Sequence, residues 1–398
     1  MNDHAPPAPP APPHPANRPP EPTPDPAPAP TPRRVAPALA AFAAVRALGL
    51  LALWLWGLAA GSSAHTLLSA RWDSLWYARV AGEGYGYEVV LANGDVHSNL
   101  AFFPLLPWLE RAVSAPTGMA YGDAGLVVAW TASLAAAWGI FAVVDLLYGR
   151  RAGVLAVALW AALPVGIVQS MAYSEALFTA LAAWALYGVL RGDWVWAGAL
   201  AALAGLTRPV GAAVVAAVWV AAVLARRRGG GGWRTAVGAA LAPLGAAAYV
   251  LWVGAHTGRG LFGYLDVQAG WGNGFDGGWA FARFIAGRLG SATLPGVLAG
   301  LGLLAGVALV LWLCAACVRQ RQPVALLVYG GIVVALALCA SGYFGSKPRL
   351  LLPAFPLLLP VAVALARRRT GRAAATVGAL ALASAVYGAW WLNGSGPP

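Results

Sequence analysis

Apolar and polar positions alternate in long blocks along this chain. From residue 35 onward, about eleven apolar segments are long enough, or nearly long enough, to cross a bilayer. A crossing takes about 20 residues of helix. The segments lie near residues 37–60, 124–147, 152–171, 174–190, 194–207, 210–225, 236–256, 293–317, 323–342, 350–366 and 373–392. The pieces 194–207 and 210–225 are short and read as a re-entrant pair or as tilted helices. The pattern predicts an all-α polytopic membrane protein of about eleven transmembrane helices over residues 35–398.

Arginine clusters punctuate these blocks: Arg33-Arg34, Arg150-Arg151, Arg226 to Arg228 with Arg234, Arg319 with Arg321, and Arg367 to Arg369 with Arg372. With a cytoplasmic N-terminus, every cluster falls on the cytoplasmic side, as the positive-inside rule requires. The same orientation puts two large loops outside, about residues 61–122 and 257–292. It also puts Tyr173-Ser174-Glu175, Thr207-Arg208-Pro209 and Ser346 to Arg349 at outer segment ends. Residues 1–34 are Pro/Ala-rich with a few charges, which predicts a disordered cytoplasmic tail.

Composition agrees with membrane residence: 60% of residues are hydrophobic, 10% are charged, and mean hydropathy is +0.68. Net charge is +12 with Lys347 as the sole lysine, but the arginines are distributed as topology signals, so nucleic acid is not expected as a partner. Cys314, Cys317 and Cys339 make no disulfide framework. No Gly-x-Gly-x-x-Gly follows a strand and there is no Walker-type phosphate loop, so a nucleotide donor is not expected. No cofactor is expected.

The chemistry gathers at the outer face. Residues 71–108 hold Arg71, Asp73, Arg79, Glu83, Glu88, Asp95 and His97 among Trp72, Trp76, Tyr77, Tyr85, Tyr87 and Trp108. Asp73 and Tyr77 are four apart and share a face on a helix. Pro104 and Pro107 break or bend any helix that follows. A carboxylate at the water–lipid boundary can act as general base toward an acceptor hydroxyl. Arginines can clamp a phosphate by paired, charge-assisted bonds. Aromatic rings can pack on a sugar face. Together these describe glycosyl transfer from a lipid phosphate sugar. The candidate base is Asp73, and the candidate phosphate ligands are Arg208, Arg349 and Lys347. The candidate substrate contacts are Trp72, Tyr77, Glu83, His97, Glu175, Gln268 and Trp271. Asp73, Glu83 and His97 are too loosely spaced for a metal signature, and no metal is expected. Two other classes fit the composition: a transporter or flippase of a lipid-linked sugar, and a scaffold using the Pro-rich tail. A transporter would place polar groups at the bilayer midplane, where only Arg46 and Asp145 stand here.

The blocks Arg71-Trp72-Asp73 through Tyr77, Gly84-Tyr85 and Asn99 to Pro107 resemble the first outer loop of the PIG-V-like mannosyltransferases, polytopic enzymes of the GT-C fold. Similar pieces follow in order: Tyr173 to Phe178, Leu206 to Gly211, Gln268 to Trp271, and Pro348-Arg349 to Pro356. The resemblance spans roughly residues 40–360. It implies inverting transfer of mannose from a polyprenyl-phosphate mannose, with Asp73 as the catalytic carboxylate. Where an acid is expected by analogy before Ala101-Phe102-Phe103-Pro104, this chain has His97-Ser98-Asn99. The Ala/Arg-rich, Lys-poor composition points to a bacterial plasma membrane, which leaves the acceptor open.

Overall fold

The structure, a computed structural model, describes residues 31–394 and residue 396. The Pro/Ala-rich tail therefore lies outside the described residues up to residue 30. Its last members, Pro32 to Arg34, already belong to the first helix, Pro32–Ala60. A proline in the first turn costs that helix nothing, because its missing N–H would have no intrahelical partner there.

The apolar segments are helical, but they are not equivalent. Among the described residues, six helical stretches are long and apolar enough to cross a membrane: Pro32–Ala60, Tyr121–Tyr148, Pro209–Arg227, Trp233–His256, Leu294–Arg319 and Thr370–Leu392. Phe344–Leu350 and Phe355–Ala366, bent by 75° at their break, make a seventh if taken as one span. The expected eleven is therefore not reached by length and composition. The difference lies in segments 152–171, 174–190, 194–207 and 323–342. They form the shorter helices Arg150–Ala161, Glu175–Arg191, Trp194–Gly205 and Val324–Cys339. After Ala161 the chain turns through Pro164 into the 3₁₀ stretch Gly166–Ser170. Arg46 donates to the Ala161 carbonyl, so this mid-helix cation serves a carbonyl freed by the break.

Small residues let these helices approach closely. A Cβ on Gly198 would lie 2.2 Å from the Gly238 carbonyl oxygen, and one on Gly139 would lie 3.0 Å from the Ala183 Cβ. Alanine at either site would push the helices apart. The arginine-rich ends meet at one pole: Arg34 forks onto Asp145 at 2.6 and 2.8 Å, and Arg151 donates to the Arg368 carbonyl. At the other pole Arg71 donates to the carbonyls of Leu392 and Gly394 at 2.8 and 2.7 Å.

The first large loop is structured. It carries the helix Asp73–Glu83, an antiparallel hairpin of Glu88–Val90 with Val96–Ser98, and the amphipathic helix Leu105–Thr117. Pro104 caps that last helix and Pro107 sits in its first turn, where neither breaks it. The second loop holds the short helices Gly263–Gly270 and Trp279–Leu289.

Candidate active site

Several chain turns converge on one cleft of about 300 Å³. Asp73 opens its helix, a place where the helix dipole favours a carboxylate. Glu175 opens another, Glu175–Arg191. Arg208 precedes Pro209, and Arg349 sits in the four-residue helix Lys347–Leu350. Side chains at such turns point across the gap between helices rather than along one face.

The charges form a chain. Arg349 Nη1 donates to Asp73 Oδ2 at 2.8 Å. Arg349 Nε lies 3.2 Å from Glu175 Oε1, and Arg208 Nη1 lies 2.6 Å from the same oxygen. Glu175 is thus the shared counter-ion of two guanidinium groups. Its side chain is 1% exposed, against 10% for Arg349, 14% for Arg208 and 24% for Asp73. Both cations lie against Oε1, and neither Glu175 carboxylate oxygen has a partner in hydrogen-bonding geometry among the described residues. A carboxylate that far from water is tolerable only because two cations face it.

Neutral groups fix the frame. Arg208 Nη1 donates to Ser174 Oγ at 3.1 Å, and Ser174 Oγ shares a 2.7 Å hydrogen bond with the Tyr77 hydroxyl. Burial pushes the Tyr77 phenol well above its usual range, so it stays protonated. The Tyr173 hydroxyl accepts from the Asp73 backbone N–H at 3.3 Å, and the Arg349 guanidinium lies 5.1 Å from the Tyr173 ring. Gln268 donates to the Tyr264 hydroxyl at 2.6 Å and accepts from Asn273 at 2.9 Å. Tyr343, in the cleft wall, has a positive φ of 48°, and so does Trp72 at 53°, just before the cleft residue Asp73. Such backbone strain persists where surrounding contacts over-determine it. Here the Arg71 guanidinium covers the Trp72 ring at 3.9 Å.

Of the residues singled out from sequence, the cleft brings together Asp73, Tyr77, Glu175, Arg208, Gln268, Trp271 and Arg349. Glu175 lines it from beneath the arginines rather than as an open contact. Four residues do not line it. Trp72 lies under Arg71. Glu83 is mostly exposed, 3.7 Å from Arg79. His97 stacks on Trp271 at 4.1 Å and backs that ring. Lys347 turns the other way. Its Nζ donates to the carbonyls of Ala337 and Ala340, each at 2.8 Å, and lines a separate apolar groove of about 340 Å³. Lys347 and Arg349 are two positions apart, about 200° round a helix, so they cannot serve one cavity. Asp73, Glu83 and His97 are not brought together, and no group of three or more His, Cys, Asp or Glu able to hold a metal occurs among the described residues. Sequence reasoning did not single out Asn273 and Tyr343 as site residues. Their signal was weak: Asn273 follows Gln268 by five residues, and Tyr343 sits in the polar break before Lys347.

No family model matches this chain, and no curated protein does. Solved structures do. The crystal structure of ArnT from Cupriavidus metallidurans bound to undecaprenyl phosphate aligns with TM-score 0.52 at 15% identity, over 84% of this chain and 61% of that one. The chain has the GT-C fold. The apo structure of the same ArnT aligns at TM-score 0.49 and 16% identity, over 75% and 56%. This chain spans about 61% of the length of the ligand-bound ArnT, and the likeness concerns the fold alone. The cleft lies where the first large loop meets the helix starts at Glu175, Pro209 and Lys347.

Proposed function

We propose that this protein is a membrane glycosyltransferase that moves a sugar, mannose in the favoured reading, from a polyprenyl-phosphate donor to an acceptor hydroxyl at the extracytoplasmic face. One observation carries the proposal: a partly open carboxylate, Asp73, sits beside two arginines that share a buried counter-ion. In the proposed reaction the donor phosphate engages Arg349 and Arg208. Both guanidinium groups are held in place by Glu175, so they meet the phosphate pre-oriented. Arg349 is also the partner of Asp73. A phosphate that draws Arg349 toward itself frees the carboxylate to accept the acceptor's proton. The acceptor oxygen then attacks the anomeric carbon from the face opposite the phosphate. The new glycosidic bond forms as the sugar–phosphate bond breaks, and the configuration inverts. The polyprenyl phosphate leaves with the bonding electrons, its charge stabilised by the arginines. Trp271, Gln268 and Asn273 supply a ring and amides at the cleft, the usual chemistry of a polyol contact.

The apolar groove behind the Lys347–Leu350 helix has walls suited to a hydrocarbon chain, and ArnT crystallises with undecaprenyl phosphate. Both support a lipid-borne donor. Orientation follows the arginine clusters: N-terminus cytoplasmic, cleft outside, in a bacterial plasma membrane. Purified protein in nanodiscs, given radiolabelled polyprenyl-phosphate mannose, other polyprenyl-phosphate sugars and a panel of hydroxyl acceptors, tests this directly. Label should pass from the mannosyl donor to an acceptor. Transfer from another sugar alone would remove the mannose assignment. Donor movement across the bilayer without transfer would remove the enzyme.

A further inference from the structure

The loop between the spans Trp233–His256 and Leu294–Arg319 displays an uncovered apolar surface. Leu261, Phe262, Leu265, Phe275 and Trp279 are 60–68% exposed, and Leu294, the first residue of the next span, is 71% exposed. They are not a disordered fringe. Phe262 and Leu265 sit one turn apart, at the edge of the helix Gly263–Gly270 and within it. In the helix Trp279–Leu289 one stripe, Phe281 and Ile285, is buried, while Trp279, Ala282, Arg283 and Ala286 form an exposed stripe at helical spacing. Phe281 stacks on Phe344 at 5.7 Å, which fixes which side of this helix faces the protein. Positive-φ glycines at Gly258, Gly260, Gly272, Gly277 and Gly278 supply the tight turns that keep these short helices against the bundle.

Charge completes the pattern. The exposed cations are Arg259, Arg283 and Arg288. Of the two acids in the loop, Asp266 lies 3.6 Å from Arg259, and Asp276 accepts from the backbone N–H groups of Gly278 and Ala280. Those two hydrogen bonds hold the Asp276 carboxyl below its ordinary pKa, so it stays ionised and committed to its own turn. Exposed aromatics and aliphatics interleaved with arginine, on helices too short to cross, match a surface lying in the membrane interface. Both ends of the loop emerge from membrane-crossing helices, which holds it near that boundary.

We propose that residues 261–294 are a lipid-docking surface, with the apolar side chains among acyl chains and the arginines on anionic phospholipid headgroups. The proposal rests on the chain spanning a membrane and not on the transferase reading. It has a consequence for the cleft: the same loop contributes Gln268, Trp271 and Asn273 to the cleft wall. The bilayer would then seat one wall, and a lipid ligand could enter sideways without leaving the membrane.

Spin labels on the full-length protein test it. Phe262→Cys, Leu265→Cys and Trp279→Cys are labelled one at a time, with Cys314, Cys317 and Cys339 replaced by Ala. Asn93→Cys, on the exposed hairpin turn, is the aqueous control. In nanodiscs of three parts zwitterionic to one part anionic phospholipid, collision with oxygen should exceed collision with a water-soluble nickel chelate several-fold at the three loop positions. The order should reverse at position 93. Changing to wholly zwitterionic discs should raise nickel access at the loop at least two-fold. Nickel-dominated collision at all three positions would overturn lipid docking. So would protection seen only when two copies share one disc, which would make the surface a contact between copies. Unchanged nickel access in zwitterionic discs would overturn the headgroup contact.

Discussion

Arg349 donates to Asp73 at 2.8 Å across 276 residues of chain, and the same guanidinium approaches Glu175 at 3.2 Å. The proposed base and the proposed phosphate ligand are thus partners before any ligand arrives. Asp73→Asn keeps the size of the side chain and a hydrogen-bond acceptor for Arg349 while removing the proton-accepting charge. Turnover should fall on the order of 10²–10⁴-fold, with donor binding and expression near wild type. Steady-state transfer rates with donor binding measured in parallel check this. Turnover within a few-fold of wild type would leave Asp73 as an ion-pair partner only.

Arg208→Lys keeps the charge but loses the planar guanidinium, whose Nη1 reaches both Glu175 and Ser174 and whose remaining N–H groups could hold a phosphate. Donor affinity should weaken by roughly 10- to 100-fold, the equivalent of one charge-assisted hydrogen bond of about 1.5–3 kcal/mol. Titration of polyprenyl phosphate by microscale thermophoresis reads it. An unchanged affinity would assign phosphate binding to Arg349 alone.

Glu175→Gln leaves two largely buried arginines without their shared anion. Removing one partner of a buried ion pair costs about 3–5 kcal/mol. Thermal stability should drop clearly, and donor affinity should drop with it because the two guanidinium groups lose their common anchor. A variant that melts normally yet loses only turnover would contradict this role and point to direct chemistry at Glu175.

Glu110, fully buried on the Leu105–Thr117 helix, has no hydrogen-bond partner for either carboxylate oxygen among the described residues. Burial pushes its pKa well above the usual carboxylate range. The folded state therefore holds a proton that the unfolded state has released once pH exceeds about 4.5. With more protons bound when folded, stability must fall as pH rises through that window, by up to about 1.4 kcal/mol per pH unit. Glu110→Gln should remove this dependence. Its stabilising effect should be larger at pH 8 than at pH 5, as read by thermal unfolding in nanodiscs. Parallel pH curves for variant and wild type would rule out a neutral Glu110.

Accessibility distinguishes the two membrane faces. An impermeant thiol reagent on intact cells should label Asp95→Cys, in the hairpin turn, and should leave Gly230→Cys unlabelled until lysis. The reverse pattern would invert the orientation and move the cleft to the cytoplasmic side.

The sequence by itself determined where the helices run. A run of apolar residues this long has no soluble alternative, and an unpaired backbone in lipid has no partner but its own helix. It also determined that the polar residues would be concentrated at segment ends, and that Asp73 and Tyr77 would share a helix face. Only the tertiary structure decided the pairing. Arg71 and Arg79, close to Asp73 in sequence, turn to the C-terminal carbonyls at Leu392 and Gly394 and to Glu83. Arg349 takes the carboxylate instead. Hydropathy also could not tell a full crossing from a broken one, since Arg150–Ala161 and Gly166–Ser170 together read as one apolar run. Nor could it say that Glu175 would be buried under two cations while Lys347 faced an apolar groove. Periodicity along one chain specifies which face a residue occupies. Which partner meets that face depends on how helices far apart in sequence pack, and that is decided by volume and charge across the interface.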